Sequence, residues 1–304
     1  MVCPDCGSEF IEKRGTRNNK QRFECQERDC RKWFSIELDT EELIENNFKA
    51  PSVLIFDIET SLIEFVGWGI HKQHINKGQI TRDWNMISWS AKYLYDDEVY
   101  SDVLTSRESI AGKDKRIVKS LWQMIDSADI LITYNGNSFD IPRSQTRFLV
   151  NDLPPTSYFR SIDVYSTVSN KFSFTSNSLD YVNYTLGLDR KKQNEGLQLW
   201  KDCQKGNPQS LRDMEIYNRQ DIIALESMYM RLRPWINNHP NIGMWHDEEG
   251  SVCKYCGSHN LDWSTNGDPI NSGIYKSFRC QDCTGIGRSK VNLMTKEMRK
   301  RLVY

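Results

Sequence analysis

"SVLIFDIET", residues 52–60, sets two acidic side chains near the end of an apolar run. It opens as a continuous apolar run after Pro51, the pattern of a buried strand. Near its end stand Asp57 and Glu59, two positions apart. Residues i and i+2 of a strand share a face, so both carboxylates project together from the end of a hydrophobic strand. Like charges that close raise each other's pKa unless something positive lies between them. A metal ion is the usual resolution.

Downstream the pattern mixes β and α. "MISWSAKYLYDDEVYSDVL" (86–104) reads as two antiparallel strands turning at Asp96–Asp97, and "DKRIVKSLWQMIDSA" (114–128) as an amphipathic helix. "DILITYNGNSFDIPRSQTRFLV" (129–150) reads as a short buried strand, a polar turn and a helix, with Asp140 just past the turn. "SNSLDYVNYTLGL" (176–188) is a further helix with Ser or Asn at its cap. In "SLRDMEIYNRQDIIALESMYMRL" (210–232), Tyr217 and Asp221 are i and i+4 on a helix, hence on one face. The order gives an α/β fold with a three-strand start and later helices. Singly, Asp-x-Glu on a strand or Tyr-x-x-x-Asp on a helix is commonplace, and a surface pair is the ordinary reading of each.

Together the three segments "FDIET" (56–60), "YNGNSFDIP" (134–142) and "YNRQD" (217–221), in this order, resemble the three exonuclease motifs of the DnaQ-like 3′–5′ exonuclease superfamily. That superfamily includes the proofreading domains of family B DNA polymerases. The tyrosine of the third motif resembles the DEDDy branch, and "SNSLDYVNYTLGLDRKK" (176–192) resembles the S-x-x-L helix and following lysines of the family B domain. The resemblance covers about residues 51–235 and neither end of the chain. It implies a ribonuclease H-like mixed sheet with flanking helices, and catalysis by two divalent ions, Mg²⁺ or Mn²⁺, about 3.5–4 Å apart. Asp57 would bridge both ions, Glu59 and Asp221 would complete the site of the one that activates water, and Asp140 would hold the second. Tyr217 would orient the attacking water, because a phenol of pKa about 10 is a poor base at neutral pH. Oxygen-only ligands suit these ions and not zinc.

Around the motifs, Asn135 and Phe139 are candidates to contact the terminal nucleotide, with core packing the alternative for Phe139. Arg143 and Arg147 could reach phosphates or simply be solvated. The core is the expected place of Trp68, Trp84 and Trp89, with base stacking the alternative. His71 and His74 carry no partner ligands nearby, and Asp163 in "RSIDVY" is expected to end a strand.

Eight of the nine cysteines form two groups of four at the ends: Cys3, Cys6, Cys25, Cys30 and Cys253, Cys256, Cys280, Cys283. "CPDCGSEF…FECQERDC" and "CKYCGSHN…FRCQDC" are one design written twice, C-x-x-C-G-S returning through an aromatic–x–Cys. Two knuckles complete a tetrahedron of thiolates, so each group is expected to hold one structural Zn²⁺ in a small zinc ribbon. Cys203 is left over, a small apolar side chain. Residues 1–36 carry eight basic and six acidic side chains, and residues 253–304 nine and four. With a net charge of −1 for the whole chain, the middle is about −8. Basic ends and an acidic centre suit ends that hold a polyanion and a middle that binds cations.

The expected organisation is a ribbon at 1–36, a linker at 37–50, the exonuclease domain at 51–237, a linker at 238–250 and a ribbon with a basic tail at 251–304. No apolar run reaches membrane-spanning length, and "MVCPDCGSEF" has neither a basic n-region nor an apolar h-region. The expected compartment is the cytoplasm, where cysteines serve as metal ligands sooner than disulfides. The expected partner is nucleic acid, DNA favoured over RNA, with no membrane and with a replication or repair protein able to dock on the ribbons. The competing readings are a 3′ exoribonuclease of the same chemistry, and an inactive nucleic-acid-binding or assembly protein working through its ribbons.

Overall fold

The computed structural model describes residues 2–17, 20–27, 29–37, 50–69, 74–189, 196–245, 250–270 and 273–302. Nearly all of the expected 37–50 linker, Arg28, His71 and the lysines 191 and 192 lie outside the described residues, as do the side chains of Lys13, Arg14, Arg17, Lys20 and Arg22. The chain divides into two compact units, Met1–Ala50 with Met244–Glu249, and Pro51–Gly243 with Gly250–Tyr304.

In the first unit β1 (Ile11–Arg17), β2 (Lys20–Cys25) and β3 (Trp33–Glu37) form an antiparallel sheet in that order. Phe23 is buried and stacks on Phe34 at 5.5 Å. Little else among the described residues there is buried, and the cysteines complete the core of so short a segment.

The second unit is built on β4 (Val53–Thr60). β4 is antiparallel to β7 (Met86–Tyr93), which is antiparallel to β8 (Tyr100–Val103). On its other side β4 runs parallel to β9 (Ile130–Thr133), which runs parallel to β10 (Arg160–Asp163). The result is a mixed five-stranded sheet ordered β10-β9-β4-β7-β8, a ribonuclease H-like arrangement. Between β4 and β7, β5 (Glu64–Phe65) and β6 (Ile80–Arg82) pair in a separate ribbon. Helices follow as α1 (Ser106–Ala111), α2 (Lys115–Asp126), α3 (Asp140–Val150), α4 (Val164–Lys171), α5 (Leu179–Leu186), α6 (Leu197–Gln204) and the 25-residue α7 (Pro208–Leu232).

Period-two alternation assigns the two faces of the sheet. Leu54, Phe56 and Ile58 join Ile87, Trp89, Ile117, Leu121, Ile125 and Phe148 in one core, each side chain worth roughly 1.5–3 kcal/mol of burial. The opposite face, with Asp57 and Glu59, lies under α7, whose Glu226 pairs with Lys92 of β7. Asn207 caps α7 by accepting from the Gln209 and Ser210 N–H groups, and Pro208 takes the first turn, where its missing N–H costs nothing. Ser178 caps α5 as the sequence suggests.

Three side chains sit apart from their expected places. Trp89 is core, but Trp68 is fully exposed at 103%, because the chain has left the sheet for the β5–β6 ribbon. Trp84 is half-buried beneath Arg143 and Arg147. Arg147 is no solvated arginine: it gives two 2.6 Å bonds to the buried Asp114, which also accepts from Met86 N–H and Asn151.

After α7, β11 (Leu261–Trp263), β14 (Ser277–Cys280) and β15 (Ile286–Arg288) form a three-stranded sheet in that order. β12 (Asp268–Ile270) pairs with β13 (Gly273–Tyr275), and α8 (Lys296–Lys300) follows. This ribbon rests on the end of α7. Ile242 N–H bonds Lys254 O at 2.8 Å, and His239 lies between Tyr229 and Tyr255. No helix among the described residues is long and apolar enough to cross a membrane.

Candidate metal centre and active site

β4 is buried at every position except Asp57 and Glu59, which are half-buried on the α7 face. The register opposes them with Ser90 and Ser88 of β7, both fully buried and small enough to leave room. From above, α7 brings Asp221, 2% exposed. One carboxylate oxygen from each of Asp57, Glu59 and Asp221 lies within 4.8 Å of the others. Three acids gathered this tightly repel, and a hard divalent cation fits their all-oxygen donor set.

Asn218, one turn before Asp221 and fully buried, donates from Nδ2 to Asp57 Oδ2 at 2.6 Å. Ser88 Oγ donates to Asn218 Oδ1 at 3.4 Å. Asn218 was not singled out by sequence reasoning, since one asparagine inside a long helix carries no signal; its place between Tyr217 and Asp221 was the only clue. Tyr217 is half-buried and sets its ring edge-on to Trp200 of α6, centroids 6.0 Å apart.

Asp140 stands outside the group of three. It is 3% exposed at the start of α3, and its Oδ1 accepts from Ile58 N–H at 3.1 Å, which ties it to β4 between Asp57 and Glu59. The turn before it is held by Asp163. That carboxylate ends β10 and accepts from the backbone N–H groups of Asn135, at 2.8 Å, Asn137 and Tyr165. Asn135 adopts φ 64°, a left-handed conformation asparagine tolerates. Gly136 is obligatory, since a Cβ there would lie 2.3 Å from Thr133. Asn135 is exposed, as is Phe139 at 36%, so Phe139 is not core.

At both ends the four cysteine sulfurs gather within 4.8 Å. Cys3–Cys30 and Cys6–Cys25 stand at 3.6 Å, and Cys253–Cys283 and Cys256–Cys280 at 3.5 and 3.6 Å. A disulfide would need about 2.05 Å. The edge of a tetrahedron with Zn–S near 2.3 Å is about 3.8 Å, so the residues fit zinc. Both knuckles repeat the same bonds: Gly7 N–H to Cys3 O and Gly257 N–H to Cys253 O, each glycine at positive φ. Ser8 then bonds Glu27, and Ser258 bonds Asp282, beside the second cysteine pair. In the C-terminal group the Cys256 thiol pulls Cys253 down to about 5 against its burial, helped by the Tyr255 and Cys256 N–H groups, and that partnership pushes Cys256 up. The pull of one thiol on its neighbour fits a site whose four sulfurs share a cation. Cys203 is the odd one out, its thiol driven up to about 12 by burial and by the nearby Asp202, Asp213 and Glu59.

The sheet, the helix order and the acidic centre define a ribonuclease H-like α/β domain, with cysteine clusters at both ends that fit zinc ribbons. A family model described as the RNase_H superfamily matches residues 86–233, which include Asp140, Tyr217 and Asp221 and begin after β4. The chain is 26% identical over 196 residues to Uncharacterized protein YprB of Bacillus subtilis (strain 168), covering 60% of this chain. It spans about half, 47%, of that relative's length. Among solved structures it is similar to the family B DNA polymerase from the hyperthermophilic archaeon Pyrobaculum calidifontis, at 16% identity and a TM-score of 0.44 over 60% of this chain and 25% of that one. The superfamily match and the acidic centre support a nuclease-like function.

Proposed function

We propose that the chain is a metal-dependent 3′–5′ exonuclease that hydrolyses phosphodiester bonds of DNA in preference to RNA. The observation that carries this reading is the convergence of Asp57, Glu59 and Asp221 within 4.8 Å, with Asp140 bonded to the same strand. Two Mg²⁺ or Mn²⁺ ions bound by these four carboxylates would polarise the attacking water and supply charge relief at the departing 3′ oxygen. Asp57 would be the shared ligand, oriented by the bond it accepts from Asn218. Glu59 and Asp221 would hold one ion, and Asp140, at the start of α3, would serve the other. Tyr217 orients the attacking water through its hydroxyl, and Trp200 sets its ring. Asn135 and Phe139, both exposed beside Asp140, hold the terminal nucleotide.

The ribbons at 1–36 and 251–304, each with one structural Zn²⁺, hold the strand or a replication or repair partner, flanking a nuclease domain at 51–237. The setting is the cytoplasm, where thiols stay reduced. The preference for DNA rests on the likeness of the three motifs to proofreading domains. The test is digestion of matched single-stranded DNA and RNA with Mg²⁺ or Mn²⁺ by the wild type, Asp57→Ala and Asp221→Ala. Metal-dependent shortening of DNA before RNA, absent in both variants, supports the reading. Folded, zinc-loaded protein that cleaves neither strand sinks it.

A further inference from the structure

Arg143 and Arg147 lie one turn apart on α3 and are used differently. Arg147 is neutralised by the buried Asp114 through two bonds. Arg143 makes no ion pair among the described residues. Its guanidinium lies over two rings, 4.4 Å from the Phe139 centroid and 4.7 Å from that of Trp84. Nη1 donates to Thr60 Oγ1 at 3.0 Å, and its other N–H groups have no bond among the described residues.

Position adds to this. Thr60 follows Glu59 directly, and Arg143 is three residues from Asp140 and one helical turn beyond exposed Phe139. A solvated arginine keeps its rotamer freedom; this one is held over both rings and by the Thr60 bond, which pre-organises its planar fork for an anion. The anion a nuclease brings to this place is a phosphate of its strand, which guanidinium forks bind in charge-assisted pairs.

We propose that Arg143 binds one phosphate of the substrate strand close to the cleaved bond, with Trp84 and Phe139 as the positioning residues that clamp it. The proposal rests on the nuclease reading and names a substrate contact within it. Arg143 holds the strand in place, and the carboxylates do the chemistry.

The test measures binding of fluorescent single-stranded DNA to the full chain in Ca²⁺, with a neutral methylphosphonate placed in turn at each linkage near the 3′ end. In the wild type one linkage should weaken binding about tenfold when neutralised, the worth of one hydrogen-bonded charge contact. Arg143→Gln should lose the same affinity on the native strand and show no further loss at that linkage. Its log–log salt slope should fall by about 0.7. Arg143→Lys keeps the charge without the stacked fork, so it should retain a smaller effect at the same linkage, and it serves as the second variant if the glutamine protein melts early. Identical linkage profiles in the wild type and both variants overturn the assignment. Cleavage with an unchanged profile overturns Arg143 alone, whereas the linkage effect without any cleavage in Mg²⁺ overturns the nuclease reading alone.

Discussion

Asn218 shows how much of this centre depends on a side chain that is not itself acidic. Its amide holds Asp57 Oδ2 at 2.6 Å, so Asp57 cannot turn away from Glu59 and Asp221. Removing an outer partner of a metal ligand typically costs about 10–100-fold in metal affinity or activity. Asn218→Ala should therefore raise the Mg²⁺ concentration needed for half-maximal cleavage by that factor while the melting temperature changes little by comparison. An unchanged metal dependence would remove Asn218 from the account. Gly136 makes the complementary case for backbone. A methyl there would meet Thr133, fully buried and unable to yield, so Gly136→Ala should cost about 1–3 kcal/mol, read as a lower denaturation midpoint. Among residues, the grouping of Asp57, Glu59 and Asp221 was legible because their motifs, each commonplace alone, fall in an order that resembles one known superfamily. Asn218, the serines opposite the acids and the Asp163 clasp were not, because each acts through register and long-range contact that local sequence does not encode.

At the scale of elements, the joint between α7 and the C-terminal ribbon turns on His239. Its Nδ1–H donates to Pro240 O at 2.7 Å, which leaves Nε2 to accept from the Tyr229 hydroxyl at 2.8 Å. Burial pulls this imidazole down from 6.5 to about 4, against the Pro240 bond that favours the charged ring. The unfolded chain therefore takes up a proton near pH 6.5 that the folded protein refuses until about pH 4. Stability from this group is full above pH 6.5 and is lost as pH falls through that window, by up to about 3 kcal/mol. Melting curves between pH 7 and pH 4 should show this decline, and His239→Asn should flatten it; equal slopes would mean the joint does not titrate. The ribbons make a separate prediction. Cys256→Ser should release one of two zinc ions, by metal analysis of the purified protein, and leave the helical far-ultraviolet signal of the α/β core nearly intact. The strands β4 and β7–β9 and the long helix were legible because their apolar periods are strong. The β5–β6 ribbon and the short helices α1, α4 and α6 were not, being too short for a period to declare itself. Trp68 misled for that reason: tryptophan favours cores, yet this one lies on a segment outside the sheet.

Across the whole molecule the charge is segregated, with about −8 between ends that are each net basic. An acidic centre suits cations, and basic, zinc-fitted ends suit a polyanion. The two features together fit the proposed nuclease reading better than either does alone. The charge pattern was visible in composition, and the fold class followed from the resemblance that the three motifs carry. The direction of attack on the strand is a property of the assembled site, and one experiment addresses it. A single-stranded DNA would carry distinguishable labels at its two ends and be followed from the first turnovers in Mg²⁺. A 3′–5′ exonuclease should release the 3′ label at once as a mononucleotide while the 5′ label passes through a descending ladder, and Asp57→Ala should abolish both. Internal fragments carrying either label, or shortening that starts at the 5′ end, would contradict it.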